Sequence, residues 1–373
     1  MEFMNLPLDT AAIGSSQGAQ SHVTLREVTS HRSVHHHPYF YVPAYDDAMR
    51  WLYFISHRTG CAQAYAERRS DKSIVQLTNR DDVNEWSIHP SHDGRYLYYS
   101  AGSSLCRVSM DSLIEEVVAD FDKHSMRSAG MVAAGMGTLS VSRDDRWVAL
   151  PVCVGSGSRL YLIDTLTGSA ECIAEGPSIF HPQFHPDDSS LIRYSGPHTA
   201  RMWVLNRDGS EHRQFYKRDE SRKEWAVHES WIPGTREVLA VDWPHGLFRV
   251  SVDDGQRVDV VSFNAWHPLT DRTGRRVVTD TLHPDRGIFV GELGVSGISS
   301  PRFSSLCDSL ASSRGDHWNT DHCPYDDGPV QVYAPQHTHP HPSFSPDGRY
   351  VVFTTDRTGF ATVVEADLAP SGN

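Results

Sequence analysis

The sequence predicts an all-β protein folded as a seven-bladed β-propeller, and three observations predict it. From about residue 38 onward one pattern recurs: a strand, an Asp/Gly turn, an alternating apolar strand, then a second turn and strand. Its period is roughly 40 to 50 residues with several strands per copy, and seven copies fill the chain. The runs Leu97–Tyr99, Trp147–Leu150, Val238–Val241 and Val351–Phe353 are β-branched and aromatic, as strands require. A β-sandwich also alternates, but it does not repeat itself seven times.

Taken in order, the copies run over 40–66, 85–110, 139–168, 181–209, 228–255, 267–294 and 341–368. Asp-Gly or a substitute marks the turn in each, since Gly, Asn and Asp best tolerate a positive φ. Asp144-Asp145 and Gly234-Thr235 are two such substitutes. The seventh copy runs out of chain after its later strands, and His22–Thr29 is the segment available to supply the missing outer strand. Residues 1–21 read as a flexible tail, leaving 22–373 as a single propeller domain. Two insertions break the period, at 120–136 and at about 295–338. A loop as long as the second is usually functional or disordered, and it leads straight into a histidine cluster.

The chain has 373 residues, with 34 Lys and Arg against 47 Asp and Glu, a net charge of −13. That balance disfavours nucleic acid, because a phosphate backbone demands clustered basic residues. No apolar run approaches a membrane span, and the start lacks the basic and apolar regions of a signal peptide. The six cysteines show no CxxC spacing, which fits reduced thiols in a cytoplasmic protein.

The stretch Gln331–Gly348 carries Gln336, His337, His339 and His341 directly before the last repeat. Imidazole nitrogens suit manganese, iron, zinc, copper or nickel. On an extended backbone His337, His339 and His341 share a face, and the local bend decides which of them converge. Histidines also recur near the start of the innermost strand in the later copies: His181, His228, His267 and the pair His339/His341. Inner-strand starts meet at one end of a propeller's channel, so these residues are expected in one funnel. The plainer reading of each is a histidine that hydrogen-bonds the next blade.

The block from Gln336 to Gly348 resembles the metal-binding signature of the oligogalacturonate lyases, seven-bladed propeller enzymes that cleave short pectin-derived uronates. The resemblance extends through Arg201 in TARMWVLNRDG, His228 in VHESWIPGT, His267 in WHPLTDRTG and the opening HHHPYFYVPAYDD. It covers most of the chain from His35 to Asp367. It implies Mn²⁺, or another divalent cation, held by His267, Gln336, His339 and His341, with His228 as base and Arg201 as its electrostatic partner. The SPDG-type turns by themselves say only TolB-like propeller.

β-Elimination at a 4-linked uronate removes the C5 proton next to a carboxylate and expels the O4 sugar. A divalent cation on that carboxylate makes the proton more acidic, and a neutral imidazole is a suitable base. Arg201 is expected to keep His228 neutral by like-charge repulsion. A chain of net charge −13 repels polyuronates at long range, so local attraction favours short acidic oligosaccharides. The rival expectations are the same chemistry on another uronate oligosaccharide, or a non-catalytic TolB-like scaffold.

Overall fold

The computed structural model describes residues 23–121, 137–222, 224–282, 284–294, 302–311 and 338–369. Seven antiparallel four-stranded sheets are formed among them, six of them ordered as the chain runs from the innermost strand outward and the seventh completed by β1. After the short strand β1 (Thr24–Glu27), blade one consists of β2 (His35–His36), β3 (Trp51–Ser56), β4 (Gln63–Arg68) and β5 (Ile74–Gln76). Blade two is β6 (His89–Pro90), β7 (Tyr96–Ala101), β8 (Ser104–Ser109) and β9 (Glu115–Asp120). In blade three stand β10 (Ser140–Val141), β11 (Trp147–Val154), β12 (Gly157–Asp164) and β13 (Ala170–Gly176). Blade four has β14 (Phe180–His185), β15 (Asp188–Ser195), β16 (Met202–Asn206) and β17 (Arg213–Tyr216). The fifth contains β18 (Ala226–Trp231), β19 (Glu237–Asp242), β20 (Gly246–Ser251) and β21 (Arg257–Val261). Blade six holds β22 (Leu269–Thr270), β23 (Arg276–Thr279), β24 (Ile288–Glu292) and β25 (Phe303–Cys307). The last comprises β26 (Ser343–Phe344), β27 (Tyr350–Thr355) and β28 (Thr362–Asp367), and β1 is its outer strand.

The ring therefore closes with both ends of the chain in one blade, β1 pairing antiparallel to β28 from Thr24↔Asp367 to Glu27↔Val364. This strand is the segment the sequence offered for closure. Residues 1–21, His22 and most of both insertions lie outside the described residues, as do Gln336 and His337, while 302–311 of the second insertion carries β25, the outer strand of blade six.

The core sits between blades. Leu239 and Val241 of blade five pack against Val277, Phe289 and Phe303 of blade six. Equivalent clusters join every other neighbouring pair, including blades seven and one. Burying one such side chain fully is worth about 1.5–3 kcal/mol. A further cluster of Tyr39, Phe40, Val42 and Trp86 lies apart from these. Tyr39, Phe40 and Val42 come from the chain between β2 and β3, and Trp86 from the segment before β6. They pack into the central channel, where Tyr39 and Phe40 meet histidines from four other blades.

The turns between the first two strands of each blade sit at the opposite end of the channel from the inner-strand starts. Gly94, Gly274 and Gly348 close three of them with φ near +68°, and Asp145 takes the same place with φ +57°. In blade five the expected Gly234-Thr235 substitute is shifted. Gly234 itself carries the positive φ, one position earlier in the turn, where glycine tolerates it.

Candidate metal centre

Three of the recurring histidines are placed by one backbone device. His181, His228 and His341 all have φ near +50° (+50°, +55° and +47°), a region that non-glycine residues rarely adopt. In β14 and β18 this coincides with a bulge, where pairing skips from Phe180 to Gln183 and from Val227 to Ser230. A bulge re-aims a side chain out of the ladder. His228 thereby faces the channel although its neighbours obey the sheet alternation. Backbone held in such a region costs about 1–3 kcal/mol and is commonly kept at functional sites.

His267, His339 and His341 converge, their ligand nitrogens all within 4.8 Å of one another. The His267 and His341 rings lie 4.1 Å apart, and His339 lies 5.5 Å and 5.6 Å from them. The pair His339/His341 does not converge by strand parity. The left-handed turn at His341 brings both rings to His267, and the two-residue strand β26 begins only at Ser343.

The donor set fits a borderline divalent cation such as manganese. His267 Nδ1 donates to Asp280 Oδ2 at 2.8 Å, and the His267 amide donates to Asp280 Oδ1 at 2.7 Å. With its proton on Nδ1, the ring presents Nε2 as a lone pair. His267 Nε2 and His341 Nε2 are both buried with no hydrogen-bond partner, which is costly unless something electrophilic meets them. Burial holds both imidazoles well below their usual pKa, with His267 and His339 adding to the effect on His341. Neutral imidazole is the ligating form. Burial also pushes the Asp280 carboxyl up to about 8, against the pull of the His267 amide. His37 fixes the loop from the other side, its Nε2–H donating to the His341 carbonyl at 2.7 Å and its Nδ1 meeting Thr354 Oγ1 at 2.8 Å. Gln336, the expected fourth ligand, lies outside the described residues.

His228 lies beside this cluster, its ring 4.4 Å from His267 and edge-on to Trp266 at 4.2 Å. Its imidazole is held well below its usual pKa, first by burial, then by His267, and only third by Arg201. The expectation that Arg201 keeps it neutral thus holds in sign, while desolvation is the larger cause. Arg201 follows a single 3₁₀ turn (His198–Ala200) between β15 and β16. Its Nε donates to Glu229 Oε1 at 2.8 Å. Glu229 is fully buried and also receives Ser195 Oγ at 2.8 Å and Arg193 Nη2 at 3.3 Å. Burial pushes this carboxyl up, but Arg201 and Arg193 outweigh it and hold it well below the carboxylate range.

The sequence reading missed Glu229, Asp280, His37 and the channel aromatics. Glu229 adjoins His228, and a charged residue next to a bulged histidine is the one local signal that points to it. Asp280 in VVTDTLHP carries no comparable mark. A cavity of about 390 Å³ lies at the turn end of the channel, lined by Tyr41, His89, Arg143, Asp187 and Arg272. Its lining does not include the histidine cluster, from which the channel aromatics divide it.

A family model described as oligogalacturonate lyase matches residues 9–257, more than half of the chain. The chain belongs to the oligogalacturonate lyase family. It is a lyase, and the scaffold alternative gives way. Arg201 and His228 fall inside the span matched by the oligogalacturonate lyase model, whereas His267, His339 and His341 lie beyond its end. An oligogalacturonide lyase of Pectobacterium atrosepticum is 25% identical over 359 residues, covering 87% of this chain and 88% of that one. An oligogalacturonate lyase of Dickeya dadantii is 26% identical over 362 residues with the same coverages. Among solved structures, an oligogalacturonate lyase from Vibrio parahaemolyticus superposes with TM-score 0.77 at 22% identity, covering 95% of this chain and 96% of that one. An oligogalacturonate lyase in complex with manganese gives TM-score 0.77 at 22% identity, with 95% of each chain covered. These two likenesses show the seven-bladed fold.

Proposed function

We propose that this chain is a divalent-metal-dependent lyase that cleaves short 4-linked uronate oligosaccharides, oligogalacturonate in particular, by β-elimination. One observation carries the reading: three imidazoles converge on one point beside a fourth, neutral imidazole and an arginine. Names of the relatives and of the manganese-bound neighbour support the substrate and the metal. His267, His339 and His341, with Gln336 from the preceding stretch, are the residues that would hold the ion. When bound, a divalent cation supplies Lewis-acid neutralisation of the uronate carboxylate next to C5.

The chain's own residues account for the rest. His228, neutral by burial, accepts the C5 proton. An imidazole held far below neutrality is a weak base in the empty site, but an arriving carboxylate adds negative charge and raises it toward the working range. Arg201 keeps its charge at any working pH and holds a substrate carboxylate or hydroxyl. Glu229 orients that guanidinium through Nε. Tyr39 and Phe40 close the floor of the site against the channel and exclude water from beneath the histidines. A cytoplasmic setting and one domain over 22–373 belong to the same proposal.

The test is to incubate metal-stripped protein with di- and trigalacturonate, polygalacturonate and glucuronate-containing oligosaccharides, with and without Mn²⁺. Unsaturated-uronate absorbance reports elimination. Short galacturonates with metal are expected to give the fastest rise. Absence of unsaturated product from every uronate in the presence of metal would overturn the reading.

A further inference from the structure

A second cluster of ligating side chains lies between blades one and two, two blade interfaces from the first. His36 stands in β2, His57 follows β3, and Glu85 lies in the segment entering β6. Their ligand atoms are within 4.8 Å of one another. His57 Nε2 is 2.9 Å and His36 Nε2 is 3.2 Å from the same carboxylate oxygen, Glu85 Oε2. The three side chains are 5%, 18% and 8% exposed for His36, His57 and Glu85.

The tautomer of His36 decides what this arrangement needs. Its Nδ1 lies 3.1 Å from the His37 carbonyl. A carbonyl only accepts, so Nδ1 carries the proton, and in a neutral ring Nε2 is then a lone pair aimed at a carboxylate. Two electron-rich atoms in a nearly dry site require positive charge on or between them. Such a backbone carbonyl behind a histidine is also the usual outer support of a metal-bound imidazole. The ring is held in place by stacking on Trp86, with centroids 4.3 Å apart and planes 26° off parallel.

We propose that His36 Nε2, His57 Nε2 and the Glu85 carboxylate form a second divalent-cation site of the two-histidine, one-carboxylate kind. Ligands sharing one ion at bonds of about 2.1 Å stand about 3.0–3.4 Å apart, and the observed 2.9 and 3.2 Å bracket the short end of that range. Two nitrogens and one oxygen suit zinc or manganese, with positions left for solvent or an incoming oxygen. The site is independent of the first, since no ligand is shared, although Trp86 stands 5.6 Å from His341 as well.

Metal-stripped protein titrated with Zn²⁺ alone, by calorimetry and elemental analysis at neutral pH, tests this. Wild type should bind two ions per chain, His341→Ala one, His57→Ala one, and the double variant none. Glu85→Gln keeps the shape but not the charge, and should weaken one ion at least tenfold. Thermal melts establish that each variant is folded. If folded His341→Ala takes up no ion, or if His57→Ala and Glu85→Gln both leave the stoichiometry and affinity unchanged, the proposal is overturned. Failure of the first site reads differently: one ion in wild type, indifferent to His341→Ala and lost in His57→Ala.

Discussion

His228 combines three properties that a base in this site requires: a left-handed backbone that aims it inward, burial that keeps it neutral, and a position beside the cluster rather than in it. Replacing it with alanine is expected to leave metal content intact while turnover falls about 10²–10⁴-fold. Near-normal turnover would move the base elsewhere, with His181 or His198 next in line. Arg201→Lys should lose about ten- to a hundredfold, since a point charge cannot both meet Glu229 through Nε and reach substrate. Asp280 acts through His267. Asp280→Asn keeps the volume but exchanges an acceptor for an amide, and metal affinity should drop about 10–100-fold. A titration showing wild-type affinity would remove Asp280 from the supporting role.

At the scale of elements, short inner strands make the site possible. β22 and β26 are two residues long, so the chain before each is free to bend, and His267, His339 and His341 sit on those bends; β2 is equally short. The segment after β2 then fills the channel with Tyr39 and Phe40. Phe40 lies 5.5 Å from His267 and 5.9 Å from His228. Phe40→Ala opens a cavity under both rings and should cost about 3–5 kcal/mol of stability. Its turnover should fall further than its metal content, as water enters below His228. Equal losses of the two would show a merely structural role.

The whole molecule depends on closing the ring between blades seven and one. Arg26 meets Glu67 at 2.6 Å and Glu365 at 2.8 Å, and Arg69 meets the same two carboxylates at 3.0 and 2.7 Å. Tyr45 adds a hydrogen bond to Glu365 at 2.8 Å. Removing Arg69 leaves two buried carboxylates under-compensated, a change typically worth about 3–5 kcal/mol. Arg69→Ala should therefore lower a single cooperative urea transition. Two separable transitions would argue against one domain over 22–373. Acid should act on the same transition. Burial lowers His89 to about 3 and His35 and His198 to about 4. The native state refuses these protons, whereas the unfolded chain takes them up below about 6.5. Their stabilisation is thus complete above pH 6.5 and is lost as pH falls toward 4 and 3. Asp280 opposes this, its raised carboxyl favouring the acid side of pH 8. Three imidazoles against one carboxyl should leave the protein less stable at pH 5 than at pH 7, and a flat profile would contradict the assignment.

Periodicity alone determined the architecture, because each blade repeats the same alternation and turn, and strand faces follow directly from alternation. The missing outer strand was legible too, since a seventh repeat lacking one strand must borrow it from the other end. The grouping of His267, His339 and His341 followed from their common place in the repeat. What the sequence did not decide was aim. Positive φ at His228 and His341 reverses the direction that alternation assigns, and nothing local in the residue types announces it. Nor does the sequence show burial, which sets the protonation of His228 more than the neighbouring arginine does. Glu229 owes its role to the packing of blade four against blade five, and Asp280 to the hairpin of blade six that sets the end of β23 beside the chain entering β22. Only the tertiary structure could decide those partners, because a buried carboxylate takes its charge state from whatever donors the fold places around it.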